Sequence, residues 1–78
     1  MMKIFNLEIV SRNNKGFLQR VMSLFDKRGY QIHNMNVDFV NQSGYAKVFL
    51  TLEGSEEIFE QLQRQVYKIV DIVNVERL

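Results

Sequence analysis

The spacing of apolar residues switches between a two-residue and a helical period along this 78-residue chain, and the order of the switches constrains the fold more than any single motif. Lys3 to Val10 alternates as a half-buried strand does, with Phe5, Leu7 and Ile9 on one side and Ile4, Asn6 and Glu8 on the other. From Phe17 the apolar positions become Phe17, Leu18, Val21, Met22 and Phe25, one face of a helix, while Gln19, Arg20, Ser23, Asp26 and Lys27 fill the other. Asn13 or Asn14 is expected to cap its start, and Gly29 sits where a left-handed residue closes a helix. A second strand is expected over about Tyr30 to Val40. Ile32 lies three residues from Met35, after which Met35, Val37 and Phe39 alternate. Ile32 and Met35 share a face only if a bulge lies near His33-Asn34.

Asn41-Gln42-Ser43-Gly44 reads as a hairpin loop, followed by a third strand from Tyr45 to Glu53 with Ala46, Val48, Leu50 and Leu52 on one face. Gly54-Ser55 is expected to stop it. Ser55 is the expected N-cap of a second helix, with Glu56 and Glu57 set against the helix dipole and Ile58, Phe59, Leu62 and Val66 as its apolar stripe. Ile69 to Val75 is apolar and β-branched, and is expected to form the last strand. The order strand, helix, strand, strand, helix, strand is that of an α+β, ferredoxin-like βαββαβ sandwich. Its antiparallel sheet is expected in the order 4-1-3-2, with two helices on one face. Phe5, Leu7, Ile9, Ala46, Val48, Leu50 and the two helical stripes then form one core. The opposite face carries Ile4, Tyr45, Phe49 and Ile72 among Asn6, Glu8, Lys47, Thr51 and Asn74, apolar enough to expect a cover.

Composition narrows the function classes. A chain of this length is expected to be one domain over residues 1–78, at a size where association is a common remedy for a small core. The net charge of +1, without a dense Lys/Arg block, lacks the electrostatic footprint of non-specific nucleic-acid binding. Without cysteine there is no disulfide or thiolate metal site, and His33 is the only histidine. The charged N-terminal residues and the absence of a long apolar run point to a cytoplasmic protein with no membrane partner. Asp38, Glu8 and Glu53 fall on separate strands with no nucleophile or base at a recognisable spacing, so no enzyme activity is expected of the chain itself. His33 reads as a surface residue at the bulge.

The stretch Asn13-Asn14-Lys15-Gly16-Phe17-Leu18 followed by Leu24-Phe25-Asp26-Lys27-Arg28-Gly29-Tyr30 resembles the glycine-bearing loop and first helix of ACT domains. It is most similar to the pattern Asn-x-x-Gly-x-Leu, then Leu-Phe-x-x-Arg-Gly-Tyr, of the small regulatory subunit of acetohydroxyacid synthase, also called acetolactate synthase. Glu53 to Leu62 looks like that family's turn and second helix. Gln65-Val66-Tyr67-Lys68-Ile69-Val70-Asp71-Ile72-Val73-Asn74-Val75 is similar to its run Gln-Leu-x-Lys-Leu-Val-Asp-Val-x-x-Val, the most family-specific signal in the chain. The resemblance covers essentially the whole sequence.

What the resemblance implies is a homodimer that holds valine, isoleucine or leucine at the protomer interface and activates a catalytic subunit. No cofactor is expected on this chain; the thiamine diphosphate, magnesium and flavin implied by the family belong to the catalytic partner. Carried over residue by residue, Asn13 matches the loop asparagine, Gly16 the loop glycine, and Phe17 and Leu18 the helix-start residues whose amides face the effector. From the partner strand, Gln31 takes the position of an asparagine, Asn36 that of a threonine, and Ile32 and Val37 keep apolar type. A helix start offers free N–H groups and a favourable dipole to a carboxylate. Lys15 stands where many ACT domains have proline, and Gln31 is one methylene longer than the family's asparagine. The chain's end at Leu78 fits a short form without a second domain.

Two other readings use the same pattern. One is an ACT sensor serving a different enzyme or regulator. The other is an RNA-recognition module, because Ser43-Gly44-Tyr45-Ala46-Lys47-Val48-Phe49-Leu50 shares four positions with its third-strand signature. Against it, Lys47 replaces a stacking aromatic and Phe5 falls in phase with the buried side of the first strand.

Overall fold

The computed structural model describes residues 2–40, 43–57, 59–69 and 71–78. Its elements are β1 (Met2–Arg12), α1 (Phe17–Lys27), β2 (Gln31–Val40), β3 (Tyr45–Ser55), α2 (Phe59–Tyr67) and β4 (Ile72–Arg77). All pairings are antiparallel, and the sheet order β2-β3-β1-β4 is the expected one. Asn41 and Gln42 of the expected hairpin loop, Ile58 of the expected second stripe and Val70 of the expected last strand lie outside the described residues.

The alternation that selects a strand also selects what the helices cover. Phe5, Leu7 and Ile9 of β1 and Ala46, Val48, Leu50 and Leu52 of β3 are all buried, against Phe17, Val21 and Phe25 of α1 and Phe59, Leu62 and Val66 of α2. Each fully covered aliphatic or aromatic side chain contributes roughly 1.5–3 kcal/mol of transfer free energy. Met22, expected in the first stripe, is 41% exposed at its margin. Phe5 stacks on Phe59 with ring centroids 4.1 Å apart, and the Arg77 guanidinium lies 4.8 Å from the Phe5 centroid. A cation over a ring face adds an electrostatic attraction to the packing.

Several boundaries differ from the expectation, each for a physical reason. Strand β3 does not stop at Gly54-Ser55; both residues pair with β1, Gly54 with Lys3 and Ser55 with Met2. Gly54 is a glycine because the Tyr30 ring lies on it, where a Cβ would come within 2.3 Å of a ring carbon. The Tyr30 hydroxyl donates to the Ser55 carbonyl, and burial, followed by the negative charge of Glu56, raises the phenol's pKa above its usual value. Ser55 therefore ends a strand and does not cap α2, although its Oγ accepts from the Glu57 N–H at 3.2 Å. Glu56 turns away to Lys3 and Arg77, each at 3.3 Å. Desolvation opposes its charge, yet those two cations together bring its pKa below the ordinary value.

The last strand begins at Ile72, not Ile69; Ile69 belongs to a turn in which its carbonyl accepts from the Ile72 N–H at 3.0 Å. A register shift between Val10 and Ser11 then sets Ile72 opposite buried Ser11, so Ile72 packs against the core and not on the open face. The bulge in β2 lies where the broken period required it, between Ile32 and Asn34, and the His33 ring reaches Glu53 at 2.8 Å. Gly29, at φ 78°, closes α1 as expected: its N–H donates to Asp26 O and the Tyr30 N–H to Phe25 O. That pair of bonds is a Schellman closure.

Two bonds fix which backbone groups point outward at the sheet edges. Leu78 N–H donates to Asn6 O and Asn13 N–H to Gly44 O. Because partners in an antiparallel ladder alternate, Met35, Val37 and Phe39 of β2 and Val75 and Arg77 of β4 turn their N–H and C=O groups away from the sheet.

Candidate functional site

The segment from Asn13 to Gly16 turns the chain from β1 into α1 without the side-chain cap expected of its asparagines. Gly16 is itself the N-cap, in the left-handed region at φ 88°, ψ −2°, and no side chain bonds the helix start there. Its carbonyl receives the first helical bond, from Arg20 N–H at 3.1 Å. Asn13 is tied by its backbone, its N–H reaching Gly44 O at 2.8 Å, which sets the loop against the β2–β3 hairpin. Its side chain is left to solvent as part of an exposed residue.

Asn14 points elsewhere. Its amide donates to Asp71 Oδ1 at 2.7 Å, while Arg20 holds Asp71 Oδ2 at 3.0 Å. Asp71 is only 5% exposed, and its backbone carbonyl also accepts from Arg12 N–H at 2.8 Å and Ser11 Oγ at 3.0 Å. A carboxylate removed from water this far is retained only when its oxygens are paired. Here the pairing ties the α2–β4 turn, the end of β1, the loop and the first turn of α1 together. The same Arg20 nitrogen lies 3.3 Å from Lys15 O inside the loop.

The eight candidate binding residues fall into two groups. Asn13, Gly16, Phe17 and Leu18 stand together at the loop. The Phe17 side chain is buried in the core, and its amide bonds Asn14 O at 3.3 Å, so of the pair Phe17 and Leu18 the former is already engaged. Gln31, Ile32, Asn36 and Val37 lie on β2. Ile32 and Val37 pair with Leu52 and Val48 and pack toward the helices, whereas Gln31 and Asn36 pair with Glu53 and Phe49 and are exposed. The loop stands at the Val40 end of β2, since Arg12, Tyr45 and Val40 share a register, and Gln31 lies at the other end, roughly 30 Å away at ~3.4 Å per strand residue. A single copy of the chain does not bring the two groups together.

Asp71 and Arg20 were not among the candidates from sequence. The signal was present in the family-like run around Asp71, but its partners lie 57 and 51 residues away. Two surface grooves accompany the site. One, of about 530 Å³, lies between α1 and the start of β2 and is lined by Met22, Asp26, Tyr30, Gln31 and Ile32 among others. The second, of about 440 Å³, runs between α1 and α2. Among the described residues there is no cluster of potential metal ligands and no helix long and apolar enough to cross a membrane. Phe5, at 1% exposure, offers no ring for stacking a base.

The chain is a split βαββαβ sandwich with a glycine-opened first helix, and residues 13–75 match the family model described as the ACT domain. The chain belongs to the ACT domain family. Within it, the chain is 32% identical over 72 residues to the acetolactate synthase isozyme 3 small subunit of Escherichia coli, covering 92% of this chain and 44% of that protein. It is 35% identical over 63 residues to the probable acetolactate synthase small subunit of Methanothermobacter thermautotrophicus, covering 81% and 38%. The crystal structure of the acetolactate synthase small subunit from Thermotoga maritima superposes with a TM-score of 0.83 at 25% identity, over 96% of this chain and 47% of that one. The ACT domain from a GTP pyrophosphokinase of Chlorobium tepidum shares the fold at a TM-score of 0.83 and 16% identity, over the full length of both. The chain spans less than half the length of the curated relatives it matches.

Proposed function

We propose that residues 1–78 act as one ACT unit that regulates acetolactate synthase: it docks on the catalytic subunit, raises its activity and binds a branched-chain amino acid between two copies of itself. The observation that carries this reading is the Asp71 anchor. The most family-specific run of the sequence supplies the buried carboxylate that holds the loop carrying Asn13 and Gly16. The regulatory role itself leaves catalysis, and the cofactors it needs, to the partner.

A second copy supplies what one protomer lacks. Antiparallel pairing of two β2 edges sets the Gln31 end of one protomer beside the Val40 end of the other, and therefore near the loop. The effector's carboxylate then meets the free amides at the start of α1, and its branched side chain meets Ile32 and Val37. Gly16 bears most on this geometry. Gly16→Asp strains a left-handed residue and puts a negative charge where the carboxylate sits, so it should abolish the binding of valine, isoleucine or leucine. Asn13→Ala removes one polar contact and should weaken binding about tenfold, ~1.4 kcal/mol.

Calorimetric titration of the three amino acids, with activity assays of the chain reconstituted with an acetolactate synthase catalytic subunit, tests both roles. No heat at millimolar effector would remove the sensing role and leave the docking role. Neither complex nor activity change would remove the regulatory reading as a whole.

A further inference from the structure

The groove between α1 and α2 has a chemistry the effector site does not use. It is lined by Gln19, Arg20, Ser23, Leu24 and Lys27 from α1 and by Gln65, Lys68 and Ile69 from the end of α2 and the turn after it. Three of these carry positive charge and none is acidic. Leu24 and Ile69 are partly buried and form an apolar floor, while Arg20, Lys27 and Lys68 are exposed along the rim. The α1 residues follow a helical stripe from position 19 to position 27, about 12 Å at 1.5 Å per residue. That is the shape of an elongated site. Gln65 lines this groove and a smaller one beside it, and its side-chain oxygen is buried with no hydrogen-bond partner among the described residues. Turning its amide would offer an acceptor to an incoming N–H.

We propose that this groove is where the chain receives an acidic amphipathic segment of its partner protein, with aliphatic side chains on Leu24 and Ile69 and carboxylates against Arg20, Lys27 and Lys68. The assignment rests on the regulatory reading above and names the surface through which it works. Charge complementarity singles out the occupant: an apolar floor with a one-signed rim rejects a basic or neutral segment and steers an acidic one. A second copy of the chain fits poorly, because its helix layer presents Glu60 already paired with Arg64 at 3.7 Å, and Asp26 lines the other groove. The groove also lies next to the loop anchor. Arg20 contributes to its rim while one of its nitrogens holds Asp71 and Lys15 O.

The double charge reversal Lys27→Glu with Lys68→Glu tests the proposal, measured as affinity for an acetolactate synthase catalytic subunit over a range of salt concentration. Both lysines are exposed, and a thermal melt and the effector titration check that the variant still folds. The expected result is at least tenfold weaker docking with a flatter salt dependence. Arg64→Glu, which reverses a cation of α2 outside the groove, should leave docking unchanged. Wild-type binding with equal affinity for the double variant would overturn the groove while leaving the regulatory reading in place. An equal loss from Arg64→Glu would overturn it too, since only bulk charge would then matter. A wild-type chain that binds no catalytic subunit would remove the regulatory reading and the groove with it.

Discussion

The two edges of the sheet are built to opposite ends. Strand β2 runs ten residues with Met35, Val37 and Phe39 turning backbone donors and acceptors outward, and Phe39 and Val40 are 54% and 40% exposed. Strand β4 is six residues long, and its outward groups at Val75 are already occupied. The Tyr67 hydroxyl, at the end of α2, accepts from Val75 N–H at 3.1 Å and lies 3.1 Å from Val75 O and 3.0 Å from Asn74 Oδ1. One phenol thus imitates a neighbouring strand at both of its bonding atoms. Unpaired edges are templates for strand addition, and proteins block those they do not use. The contrast teaches that a four-stranded sandwich chooses its partner by which edge it leaves unsealed.

The largest effect should come from spoiling the open edge. Phe39→Pro removes an outward N–H and leaves the ladder to β3 intact, since proline is tolerated on an edge whose N–H faces solvent. Self-association through β2 should weaken at least a hundredfold, ~3 kcal/mol, in sedimentation equilibrium. Phe49→Glu sharpens the point, because Phe49 lies on the open sheet face: a dimer lost with Phe49→Glu and kept with Phe39→Pro would place the contact face to face. A smaller effect should follow from unsealing the other edge. Tyr67→Phe frees Val75, costs about 1 kcal/mol of stability, and should add species larger than a dimer in light scattering together with faster amide exchange at Val75. Unchanged exchange at Val75 would show that the phenol does not seal the edge.

The smallest effect concerns the far end of the β4 side, where Glu56 joins Lys3 of β1 to Arg77 of β4. Its pKa is lowered in the folded chain, so its contribution to stability is present above the unfolded carboxylate range and is lost as pH falls through the folded value. Glu56→Gln should therefore lower the melting temperature slightly near neutrality, with the difference from wild type vanishing as pH falls below about pH 4.5.

Much of this architecture is readable from the residues alone, because burial writes a period into the sequence. The strand and helix order and the bulge in β2 follow from where apolar residues repeat and where the repeat breaks, and the sheet order follows from the fold pattern that this element order matches. Local closures were readable when one residue type served one geometry, as with Gly29 at the end of α1. The misreadings share a cause: the deciding partner is distant in sequence. Gly54 looks like a stop until Tyr30 is seen lying on it, and Ile72 changes faces because of a register shift opposite Ser11. Asn14 looks like a cap, but its amide is claimed by a carboxylate 57 residues on. Of the candidate site, the loop half is visible as a motif, while the Asp71 anchor needed tertiary contacts to be seen.

The seat of Tyr30 on Gly54 bears on how α1 can move. The ring follows directly on the turn that ends the helix, sits in a notch with no side chain beneath it, and is held through its hydroxyl to Ser55. Sliding α1 along its own axis would lift the ring from the notch and part that bond. Rocking about the notch does neither, and its travel grows with distance from the pivot. Over the 11 residues of the helix the lever arm is about 16 Å, and the Gly16 end where travel would be greatest is the end that Asn14 and Arg20 tie to Asp71, so those two bonds are what resist rocking.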